Sequence, residues 1–133
     1  MLKKTEAKPF SVILTIPADR IANMMISFVE SGDPVTHASK GGWCAGISLK
    51  FHTFPLWYAS PETWSNDFTV AVDEVGDGKI KTHFIRRADL VRGLAILAEK
   101  YPDHFAMILR DDTDAPCADL FVQCVLFGEE KYA

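Results

Sequence analysis

Residues 67–101 read DFTVAVDEVGDGKIKTHFIRRADLVRGLAILAEKY, and the period of the apolar residues changes inside this stretch. Residues 67–75 and 79–85 alternate, with Phe68, Val70 and Val72 on one face and Ile80, Thr82 and Phe84 sharing another. Alternation of period two is the mark of a strand, and the glycine-rich GDG between the two runs predicts a hairpin. From Arg86 onward the period is helical: Leu90, Leu94, Leu97 and Tyr101 form one stripe, with Val91 and Ala98 beside it. Pro102 ends that helix and can open the next, PDHFAMILR, in which Phe105, Ile108 and Leu109 are expected to point inward. After the turn RDDTD, residues 115–127 predict a last helix, opened by Thr113 or Asp114 and closed by Gly128. Its stripe is Cys117, Leu120 or Phe121, Cys124 and Phe127.

Working back toward the N-terminus, residues 1–9 are polar and read as a loose arm. FSVILTI (10–16) is rich in β-branched residues and predicts a well-buried strand. A helix over about 17–31 follows, with Pro17 and Asp19 in its first turn, Ile21, Met24, Met25 and Phe28 on its apolar face, and Gly32 as its stop. GDPVTHASKGGW is a loop, AGISLKF (45–51) an alternating strand, and Ser60-Pro61-Glu62-Thr63 a capped helical turn. The expected fold is α+β: a small antiparallel or mixed sheet of about four strands covered by helices, with a helical C-terminal third, all in one domain over residues 1–133.

Composition agrees with a single soluble domain: 133 residues, 48% hydrophobic and 24% charged, need neither metal nor disulfide staples to form a core. No run reaches the roughly 18 apolar residues of a spanning helix. The opening MLKKTEAKPFSVILTI has lysines and a short apolar run but no small-residue cleavage site, so a cytoplasmic chain is expected. The three cysteines, Cys44, Cys117 and Cys124, contain no CxxC and predict free thiols. A net charge of −4 disfavours general nucleic-acid binding.

Several residue sets carry chemistry in other proteins. Cys44 with His37 or His52 is the right chemistry for a nucleophilic pair or a zinc site, but the spacings of seven and eight residues match neither, and a packed thiol explains Cys44 better. Cys117 and Cys124 lie two helical turns apart, about 10 Å, which is too far for a disulfide and suits core filling. Asp111, Asp112 and Asp114 lack the glycine and the closing glutamate of a calcium loop. Asp73, Glu74, Asp77 and Glu62 show no spacing that pairs carboxylates across a sugar. No metal, cofactor or catalytic residue is therefore expected. The aromatic-rich stretch 43–64, WCAGISLKFHTFPLWYASPETW, is either scaffold or a contact surface. As a surface it would comprise Trp43, Phe54, Trp57, Tyr58 and Trp64, with Arg86, Arg87 and Arg92 beside them, since exposed Trp, Tyr and Arg are typical of protein interfaces.

Three segments together resemble a family of small uncharacterised phage and prophage proteins: the helix DRIANMMISFVESG (19–32) after an N-terminal strand, PLWYASPETW (55–64), and ADLVRGLAILAEKYPDHFAMILRDDTDAPCADLFVQCVLFGE (88–129). The resemblance implies a mobile-element origin and a compact α+β domain, and it brings no known active site with it. The functional expectation is a non-enzymatic accessory protein that binds a host or phage protein, for example to modulate a host protein. The alternatives are a small cysteine/histidine enzyme or metal-binding protein, and a structural or self-associating virion component; a homodimer is a further option. A membrane partner is not expected.

Overall fold

Asp77 and Gly78 both have positive φ, 53° and 73°. That is the backbone of a two-residue turn whose twist matches a hairpin, and Gly adopts it without steric cost. In the computed structural model, which describes residues 8–30, 42–51 and 54–133, this turn joins strands β2 (Val70–Gly76) and β3 (Lys79–Ile85). Strand β1 (Cys44–Leu49) pairs with the other side of β2, so the described sheet is antiparallel with order β1-β2-β3. The register runs Val70↔Ile85, Val72↔His83 and Glu74↔Lys81 across the hairpin, and a bulge between Cys44 and Gly46 offsets β1.

The helices are α1 (Ala18–Glu30), the short α2 (Pro61–Ser65) after a tight 3₁₀ turn at Trp57–Ala59, α3 (Arg87–Lys100), α4 (Pro102–Leu109) and α5 (Ala115–Phe127). The α+β class, the sheet covered by helices and the helical C-terminal third are as expected. Helix α5 is the centre of the molecule: every residue from Cys117 to Val125 is buried. A helix that is apolar nearly all round has no solvent face to offer, so the fold closes over it from several sides. Helices α1 and α3 pack on it. Phe121 of α5 shares the core with Phe28, Met24, Leu97, Ile108, Val70 and Val72, all fully buried.

Its ends follow local chemistry. The Asp114 side chain accepts from the Cys117 N–H at 2.9 Å, and Gly128 takes the left-handed C-terminal conformation at φ 76°. The C-terminal carbonyls of α4 are met by Arg20 of α1, whose guanidinium donates to Leu109 O and to Ile108 O at 3.4 Å. Asn23 donates to Asp111 at 3.1 Å beside them.

Several expectations are corrected or refined. Residues 10–16 belong to no strand, so the described sheet has three strands rather than about four; Phe10, Val12, Ile13 and Leu14 are 101%, 81%, 97% and 56% exposed. Propensity alone does not make a strand, which needs a partner edge to satisfy its backbone. The 45–51 strand ends at Leu49, because Phe51 turns to φ 67° and faces solvent, and the bulge leaves Ala45 exposed. Ile80 and Phe84 do share a face, but it is the outer one, opposite the helices, where they stay 66% and 48% exposed. Leu109 and Val91 are also exposed rather than inward. The Gly32 stop and the loop over 31–41 lie outside the described residues.

Helices α3 and α5 approach most closely at Gly93. A Cβ built there would lie 2.3 Å from Val125 Cγ2 and 3.0 Å from its Cα. Gly93→Ala is expected to destabilise the protein by roughly 1–3 kcal/mol through overpacking, despite alanine's better helix propensity. Urea denaturation measures this, and Val125→Ala in the same chain should recover part of the loss.

Candidate functional site

The aromatic stretch does not form one surface. Trp43 and Trp64 are both only 3% exposed, each buried in the body of the fold. Trp64 Nε1 donates to Tyr58 O at 2.9 Å, and its ring meets Phe68 edge-on at 5.0 Å and Trp57 at 6.0 Å. Trp57 and Tyr58 are half-buried on the 3₁₀ turn, and the Tyr58 hydroxyl donates to Glu30 at 2.8 Å. Phe54 keeps 42% of its surface exposed. The arginines are engaged locally. Arg87 Nη2 donates to Trp64 O at 2.5 Å and to Asn66 O at 3.3 Å, tying the end of α2 to the start of α3. Arg92 pairs with Asp89 at 2.7 Å on the exposed side of α3. The exposed Arg86 gives its backbone N–H to the Asp89 carboxylate at 2.8 Å. Trp43, Trp64 and Arg87 thus tie elements of the scaffold together, while Phe54, Arg86 and Arg92 are exposed.

A polar cluster that the residue patterns did not single out lies where β2, α5 and the C-terminal tail converge. Glu74 is 5% exposed, Asp119 8% and Gln123 fully buried. Glu74 receives His83 Nε2 at 2.8 Å, Lys131 Nζ at 2.6 Å and the Tyr132 hydroxyl. Asp119 accepts from Trp43 Nε1 at 2.7 Å and from Gln123 Nε2 at 3.1 Å. Gln123 Oε1 in turn accepts the backbone N–H groups of Lys131 and Tyr132, each at 2.7 Å. Burial alone would push the Glu74 carboxyl up; the hydrogen bonds from Lys131, Tyr132 and His83 outweigh it and hold the carboxyl at about 2. Two features of the sequence could have located it. Glu74 shares the parity of Val70 and Val72, hence the inner face of β2, and Asp119 and Gln123 stand four residues apart in an otherwise apolar helix.

All three thiols are free and buried. Burial pushes Cys44 up to about 11, Cys117 to about 12 and Cys124 to about 11, away from the reactive thiolate. Cys44 Sγ and Cys117 Sγ donate to Gly46 O and His104 O, at 3.5 and 3.4 Å. His37 and His52 lie outside the described residues. Among the described residues there is no cluster of His, Cys, Asp and Glu suited to a metal ion, and Asp111 and Asp114 are engaged by Asn23 and the α5 N-terminus.

The remaining feature is apolar. Residues 10–16 run along the outside of the molecule, and a groove of about 650 Å³ is lined by Val12, Leu14 and Ile16 of that segment and by Val91, Leu94 and Ala98 of α3. No helix among the described residues is long and apolar enough to cross a membrane. Comparison with family models, curated proteins and solved structures found no match.

Two measurements bear on these assignments. The Glu74 carboxyl is more acidic in the folded chain than its ordinary 4.5, so the stability it contributes is present above pH 4.5 and is lost as pH falls toward about 2. Glu74→Gln should flatten the stability profile across that window and lower stability near neutrality, read by thermal unfolding at stepped pH. Native protein should alkylate slowly at Cys44, Cys117 and Cys124, whereas all three should react rapidly in guanidinium; mass spectrometry counts the adducts.

Proposed function

We propose that this chain is an accessory protein that acts by binding another protein, and that residues 10–16, with the groove beside α3, form its contact surface. The observation that carries this reading is the exposure of Phe10, Val12, Ile13 and Leu14 in a segment whose composition is that of a buried strand. Contiguous exposed apolar surface of this kind marks interaction sites in folded proteins. An extended apolar segment whose backbone is not used in a sheet is also what strand addition requires of one partner: main-chain bonds supply affinity and alternate side chains fill pockets. The resemblance to phage and prophage proteins supports a role on a mobile element, with a host or phage protein as the partner and the cytoplasm as the place of action. The buried, protonated thiols give no support to a cysteine-based enzyme.

Affinity purification with the tagged full-length protein, followed by titration of the purified partner, tests this reading. Phe10→Ser with Ile13→Ser should weaken binding by at least about tenfold, roughly 1.4 kcal/mol or more, while leaving the urea midpoint unchanged, because neither side chain is buried. Equal affinity of the variant and the parent would overturn the assignment. Trp57→Ser with Tyr58→Ser is expected instead to lower stability, since Trp57 packs on Trp64 and Tyr58 anchors Glu30.

A further inference from the structure

The chain's last residues, GEEKYA (128–133), leave α5 through the left-handed Gly128 and form no helix or strand. They are nevertheless held in an organised way. The Gln123 carboxamide makes three bonds to consecutive peptide groups: Oε1 accepts from the N–H of Lys131 and of Tyr132, and Nε2 donates to Tyr132 O at 3.0 Å. The Tyr132 ring lies parallel to Trp43, at 5.8 Å and 3° between planes, with the edge of Phe127 against it at 5.9 Å. Its hydroxyl reaches Glu74, and Lys131 Nζ reaches the same carboxylate at 2.6 Å while sitting 4.8 Å from the Phe127 ring centre.

An amide that reads backbone, an aromatic slot for one ring and a buried carboxylate for one cation are the components of a peptide-recognition site. All of them belong to the body of the fold: Trp43 precedes β1, Glu74 is on β2, and Gln123 and Phe127 are on α5. The tail itself adds little else. Between Gly128 and Lys131 its described bonds are Lys100 Nζ to Gly128 O at 3.2 Å and Glu130 N–H to the Tyr101 hydroxyl at 3.1 Å.

We propose that this cleft is a peptide-binding site for a Lys-Tyr segment of a partner protein, bound in the conformation of the chain's own Lys131-Tyr132, which fills the cleft in the absence of that partner. The site selects a cation followed by tyrosine. An acidic residue at the first position would meet Glu74, and phenylalanine at the second would leave Glu74 without one of its donors. The tethered tail competes at an effective concentration in the millimolar range, so a partner displaces it by adding contacts elsewhere on this chain. The cleft is distinct from the surface at residues 10–16, and each can fail without the other.

The test uses the full-length chain with Lys131→Ser and Tyr132→Ser, which leaves the body of the cleft intact. The variant should unfold about 5–10 °C lower than the parent. A fluorescent GEEKYA peptide should bind it saturably in anisotropy titrations and restore most of the lost Tm. The parent, its cleft already filled, should bind the same peptide at least about tenfold more weakly. Peptides GEESYA and GEEKSA should each lose most of the affinity, and Phe10→Ser with Ile13→Ser should not change it. Should the double variant fail to fold, Tyr132→Phe, which keeps the ring stack, takes its place and should bind the peptide more tightly than the parent. Absence of saturable binding to the folded variant, or equal binding of the three peptides, would overturn the proposal.

Discussion

A polar group removed from water must find a partner, and helix α5 takes two such groups, Asp119 and Gln123, into the centre of the molecule. Much of the surrounding structure answers that demand. The Asp119 carboxylate receives the Trp43 indole N–H and the Gln123 amide, and through Trp43 it fixes where the chain enters β1. Gln123 spends its remaining capacity on the tail backbone. Leaving either group unpaired would cost about 1–3 kcal/mol, so the helix, the strand entry and the tail are coupled.

The same helix explains which face of the sheet the helices cover. The inner residues of β2, Val70 and Val72, are consumed by the core, and Glu74 on the same face is reached by the tail. Among the described residues, the outer face has Thr82 donating to Asp73 at 2.6 Å and Lys50 lying 5.0 Å from the Phe84 ring centre. With the helices gathered around α5, residues 10–16 are left outside the core, and their apolar side chains face water. The two proposed binding features thus arise from one arrangement: a helix enclosed on many sides holds the tail cleft, and the segment that this enclosure does not use becomes available to a partner.

The scaffold role of the tryptophans follows from the same economy. Trp64 sits among Trp57, Tyr58 and Phe68, and Arg87 closes that corner by donating to the carbonyls at the end of α2. A short helix of five residues has little stability of its own, so neighbouring aromatic rings and a guanidinium hold it in place.

Where a segment's structure depends on its own residues, the sequence determined it. The Asp77-Gly78 turn needs positive φ, Asp114 and Gly128 mark the two ends of α5, and the change of period at Arg86 separates sheet from helices. These are local effects, carried by backbone sterics and capping within a few residues. Tertiary structure decided what depends on partners distant in the chain. A strand-like composition at 10–16 does not name an edge to pair with, and Ile80 and Phe84 alternate correctly without saying which face the helices cover. Nor does a tryptophan at position 43 or a glutamate at 74 announce a partner at 119 or 131, because side-chain pairing across 76 or 57 residues is set by how the elements pack and not by their neighbours in sequence.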